Sequence, residues 1–129
     1  MGERMTKPRG FYLAPPTDEQ LLTAIIDLDG TIAESTWHPE QTRSVIGDPI
    51  DHGIDQLIRL YLNNYRIVIF TARAWADHDM IVAWLIENEI PFHQVICGKP
   101  LGTVYIDDKA VNASADSWAP ALASSVSVA

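Results

Sequence analysis

Short unbroken apolar runs alternate along this chain with stretches in which apolar residues recur every three or four positions. The runs Thr23–Leu28 and Arg66–Phe70 (around Ile67, Val68 and Ile69) show little polar alternation, which predicts buried strands. His93–Cys97 and Thr103–Ile106 predict a third and a fourth strand. Ile54, Leu57, Ile58 and Tyr61 predict a helix from about Asp51 to Asn64. Ile81, Trp84, Leu85 and Asn88 predict a second over Asp77–Glu89, ended before Pro91. A last helix is expected over Lys109–Asp116. Strands joined by helical crossovers imply a mostly parallel central sheet with helices on both faces, a Rossmann-like three-layer α/β/α sandwich.

The remainder is polar or broken. Residues 1–16 read as an irregular lead-in, Thr17 and Gln20 as a capping box, and Gly30–Pro49 as a loop or hairpin interrupted by Pro39, Gly47 and Pro49. One domain over 17–118 and a flexible tail over 119–129 complete the organisation.

Composition narrows the function classes. A chain of 129 residues with 47% hydrophobic content supports one globular core. Its single cysteine, Cys97, excludes an intramolecular disulfide and reads as a buried strand residue. No stretch approaches the roughly 20 apolar residues of a membrane span, and residues 1–20 hold no secretory apolar core, so a cytoplasmic protein is expected. A net charge of −8 disfavours nucleic acid and acidic membranes as partners. The early cations Arg4, Lys7 and Arg9 read as a solvated tail.

The chemistry concentrates at the strand ends. Asp27 and Asp29 follow the first strand on alternate residues, where side chains share a direction, and Gly30 then lets the chain turn. Thr71-Ala72-Arg73 follows the second strand, Gly98-Lys99-Pro100 the third and Asp107-Asp108 the fourth. In a parallel sheet these sets share one edge, where open α/β sheets keep their sites. Like charges brought together need a cation or strong donors. The balance suits Mg²⁺ with a phosphate dianion.

The ordered set Asp27-x-Asp29-Gly30-Thr31, Thr71 after an apolar run, Lys99 and Asp107-Asp108 resembles the four signature motifs of the haloacid dehalogenase superfamily of phosphohydrolases, over about Thr23 to Lys109. Ile67-Val68-Ile69-Phe70-Thr71-Ala72-Arg73, Gly98-Lys99-Pro100 and Tyr105-Ile106-Asp107-Asp108-Lys109-Ala110 look like small bacterial and phage members. The resemblance implies an Mg²⁺-dependent phosphomonoesterase. Asp27 would attack phosphorus to form an aspartyl-phosphate. Asp29 would protonate the leaving oxygen and then activate water. Thr71 and Lys99 would hold phosphoryl oxygens, with backbone N–H groups near Gly30 and Ala72 completing a cradle. Asp107 would bind Mg²⁺ with the Asp27 carboxylate and the Asp29 carbonyl. Asp108 would bind metal through water, orient Lys99 or cap the last helix.

Thr31–Asp51 is too short for a folded cap domain, so a capless member is expected. Its crevice would be open to a bulky phosphomonoester or closed by a second subunit of a homo-oligomer. Trp37, His38 and Arg43 lie in the segment that would select substrate. Arg73 reads equally as a substrate contact or a solvated loop residue. A phosphorylated small molecule is the expected partner. A polynucleotide 3′-phosphatase or nucleotidase is the nearest alternative, and a non-catalytic binding module of the same fold is the alternative from another class.

Overall fold

The computed structural model describes residues 22–36 and 45–118. Three strands form one parallel sheet: β1 (Thr23–Ile26), β2 (Arg66–Phe70) and β3 (Gln94–Ile96), in that spatial order. Helix α1 (Asp51–Leu62) connects β1 to β2. A 3₁₀ turn (Trp75–Asp77) and helix α2 (His78–Glu87) connect β2 to β3. The fold is mixed α/β. The registers Ile26↔Ile69 and Ile69↔Val95 put the C-terminal ends of all three strands at one edge.

Each helix buries one stripe of its surface. Leu57 and Leu60 of α1 and Ile81 and Leu85 of α2 enter one core with Ile26, Ile67, Ile69 and Val95 from the sheet. The opposite face carries Ile25 in register with Val68, and Ile25 is 66% exposed. β1 is therefore a half-buried edge strand, shorter than the doubly buried Thr23–Leu28 expected. Among the described residues the sheet carries helices on one face.

The fourth strand is absent among the described residues. Thr-Val-Tyr-Ile has strong strand propensity, but pairing depends on tertiary context. Here the Tyr105 hydroxyl donates to the Pro100 carbonyl at 2.8 Å and accepts the Gly102 N–H at 2.9 Å, which folds 100–105 back on itself. The helix expected over Lys109–Asp116 is replaced by turns. Asn112 Oδ1 accepts from the Ser114 N–H and hydroxyl, the local bonding by which Asn and Ser compete with a helix. Trp118 closes this segment onto α1, its N–H donating to Gln56 Oε1 at 2.9 Å.

The loop after β1 is tight. The N–H groups of Thr31, Ile32 and Ala33 all donate to the Leu28 carbonyl, and Gly30 turns the chain at φ +85°. Glu34 N–H donates to Asp48 O, and an antiparallel bridge joins Ala33 and Pro49, the pairing of the hairpin alternative at the described ends of this segment. The 1–16 lead-in, Thr17, Gln20, Trp37, His38, Arg43 and the 119–129 tail lie outside the described residues.

Candidate active site

The edge where the three strands end holds a pocket of about 270 Å³ lined by Asp27, Asp29, Ser35, Ala72, Lys99, Leu101 and Tyr105. Asp27 leaves β1 half-exposed, and its Oδ1 accepts the Leu28 N–H at 2.8 Å. Lys99 Nζ lies 3.5 Å from Asp27 Oδ2. Burial pushes the Asp27 carboxyl above its usual range, against the Leu28 N–H and the Lys99 charge, which pull it down; the Asp29 charge adds a smaller upward push.

Asp29 shares the pocket wall but is held from behind. Arg73 Nε–H donates to Asp29 Oδ2 at 2.9 Å and Nη2 to Oδ1 at 2.8 Å, a bidentate fork. The Arg73 side chain is 0% exposed and that of Asp29 is 12% exposed. The sequence reading of Arg73 as a substrate contact or solvated loop residue is thus replaced by a buried partner of Asp29. The signal lay in the shared edge of the sheet. β1 and β2 both end at that edge, and Asp29 and Ala72, the neighbour of Arg73, line the same pocket.

Thr71 and Lys99 are tied together by backbone. Thr71 N–H donates to Ile96 O, and Lys99 N–H donates to Thr71 O at 2.9 Å. The buried Thr71 hydroxyl accepts the Arg73 N–H at 3.1 Å and does not line the pocket. Gly30 is also off the lining, and its N–H is engaged by the Ala33 carbonyl at 2.7 Å, so it adds no donor to a phosphate cradle. Ala72 does line the pocket.

The structure does not bring Asp107 and Asp108 to this edge. Both are exposed. Asp107 Oδ1 accepts the Lys109 N–H at 2.8 Å, a local turn bond, and Asp108 sits 3.5 Å from the exposed Lys109 ammonium. Their placement follows from the missing fourth strand, which would have carried them. Tyr105 and Leu101, unforeseen from sequence, stand on the wall instead. The Tyr105 ring centroid is 4.6 Å from Lys99 Nζ, close enough for a cation–π contact. Cys97 is buried, as expected, and burial pushes its thiol up.

Among the described residues the gathered donors form no all-protein cage for a cation. A hydrated Mg²⁺ takes one or two carboxylates and keeps several waters. Asp27 offers one half-exposed carboxylate, and among the described residues no cluster of three acids, histidines or cysteines forms.

No family model matches this chain, and no curated protein matches it. Among solved structures, it is similar to a crystal structure of an MCSG target from Vibrio cholerae. The two share 28% identity and a TM-score of 0.59 over 73% of this chain and 85% of the other. Among the described residues no helix is long and apolar enough to cross a membrane.

Proposed function

We propose that this chain is a phosphomonoester hydrolase of the haloacid dehalogenase type, working through an aspartyl-phosphate on Asp27 with Mg²⁺ as cofactor. One observation carries the reading: Asp27 and Asp29 face the same pocket, with the Lys99 ammonium against Asp27. A carboxylate can attack a phosphate dianion only where a cation offsets their repulsion, and Lys99 stands at that point.

In the first step an Asp27 oxygen bonds phosphorus while the bond from phosphorus to the leaving oxygen breaks. Asp29, in its protonated form, gives that oxygen a proton. In the second step Asp29 takes a proton from water. The water oxygen attacks phosphorus, and Asp27 departs as a carboxylate with release of inorganic phosphate. Lys99 holds the phosphoryl oxygens in both steps. Thr71 fixes the Lys99 loop through its carbonyl. Magnesium would be held through Asp27, and when bound it supplies further neutralisation of the phosphoryl charge. The resemblance would also place a three-layer sandwich without a cap around this site.

The expected substrate is a phosphorylated small molecule. Tyr105 and Leu101 on the wall favour a flat, apolar leaving group, so a nucleotidase is the second reading. The test is acid quench during turnover of an aryl phosphate, followed by peptide mass analysis. A phosphoryl group on the peptide containing Asp27 supports the reading; phosphate release with no such species contradicts it.

A further inference from the structure

We propose that Arg73 is a positioning residue that fixes the carboxylate plane of Asp29 for proton transfer in the pocket. The proposal rests on the phosphatase reading above. Three observations carry it.

First, the contact is a fork. Two N–H groups of a rigid planar guanidinium reach the two oxygens of one carboxylate, at 2.9 and 2.8 Å. That geometry sets the orientation of the carboxylate, which a single point charge cannot do. Each carboxylate oxygen has two lone-pair sites. The fork takes one on each, and the others remain for a proton on the pocket side.

Second, Arg73 stands outside the pocket that Asp29 lines, with its side chain fully buried. A guanidinium also does not give up its proton at ordinary pH. Arg73 therefore neither touches the phosphoryl group nor relays a proton, and acts through Asp29.

Third, Arg73 joins all three strand ends. Its side chain reaches Asp29 after β1. Its N–H donates to the Thr71 hydroxyl after β2. Its carbonyl accepts the Gly98 N–H after β3, at 2.9 Å. Substitution of the side chain leaves the two backbone bonds in place.

The experiment compares two substrates in the full chain with Mg²⁺ present. An alkyl phosphate has a poor leaving group that needs a proton; a dinitrophenyl phosphate has a good one that does not. Proton transfer by a placed side chain contributes about 10²–10⁴-fold. Arg73→Gln should lower the single-turnover rate at which the alkyl phosphate phosphorylates Asp27 by about 10²-fold, with the rate for the dinitrophenyl ester within about tenfold, while the water step common to both esters slows equally. Arg73→Lys should recover only part of the loss. Asp29→Asn should give the same substrate pattern, and adding Arg73→Gln to it should cost nothing more. The double variant also covers the case in which Arg73→Gln leaves Asp29 buried with no cation and does not fold.

Equal losses in the phosphorylation rate with both esters, or full recovery by Arg73→Lys, would overturn the positioning role while leaving the phosphatase reading intact. A folded wild-type chain with no turnover of either ester would overturn both.

Discussion

Lys99 Nζ sits 3.5 Å from Asp27 Oδ2, joining the end of β3 to the end of β1 across the pocket. The pair is partly solvated, so its worth to the fold is small. Its consequence is for the chemistry of Asp27.

Burial raises the Asp27 pKa, and Lys99 is among the groups that restrain the rise. Asp27 as the proposed nucleophile must be ionised, so activity should be lost as pH falls through this raised value. Lys99→Met removes the restraint, and the acid limb of the pH–rate profile should move to higher pH. Turnover should also fall by about 10²–10³-fold through lost charge stabilisation. A pH series on both proteins checks each effect; an unmoved limb contradicts the pairing.

The same shift makes a stability prediction of opposite sense. A carboxyl whose pKa is raised on folding destabilises the fold once it is ionised. Asp27→Asn should therefore melt at or above the wild-type temperature at pH 7. The advantage should vanish below pH 3.8, where the carboxyl is protonated in both states. Thermal melts at pH 7 and near the acid limit of folding measure this.

His93 gives a stability dependence near neutral pH. Its Nδ1 accepts the Ile67 N–H at 2.9 Å, so the bond needs a neutral ring. Burial lowers its pKa, and the Arg66 charge lowers it further. The unfolded chain then binds the proton more readily than the folded one. Stability from this group is fully present above the ordinary value of 6.5 and declines as pH falls below it. His93→Gln should flatten the decline in denaturant melts between pH 7.5 and 5.5.

Gly53 ties α1 to the loop carrying the acids. A Cβ there would run into the Thr31 carbonyl oxygen. Glycine to alanine in a helix ordinarily gains up to about 1 kcal/mol. Here the overlap should reverse the sign, costing about 1–3 kcal/mol as in other overpacked sites. Urea melts of Gly53→Ala test the value, and phosphatase assays should find turnover reduced as the Thr31 loop shifts.

The proposed magnesium dependence rests on charge. Asp27 and a phosphate dianion together exceed the single charge of Lys99 in the pocket. Chelation should silence turnover, and added Mg²⁺ should restore it. Full activity after exhaustive chelation would remove the ion from the account.

What the sequence disclosed divides along local and non-local lines. β2, α1 and α2 were legible because their apolar residues follow the period of their own element. The convergence of Asp27, Asp29 and Lys99 was legible because parallel strands end at one edge. Thr103–Ile106 carries a strand-like sequence, yet the Tyr105 hydroxyl bonds inside its own loop, and no local pattern records that competition. Asp107 follows it out of the pocket. Arg73 was misread for the converse reason. An arginine after a strand looks solvated until the partner supplied by Asp29, 44 positions away, is known.

The central claim is that Asp27 is the nucleophile, and the direct measurement is phosphate release from an aryl phosphate by wild type and Asp27→Asn, each with Mg²⁺ and each verified as folded. The account predicts turnover by the wild type and none by the variant. Wild-type turnover in Asp27→Asn would contradict it.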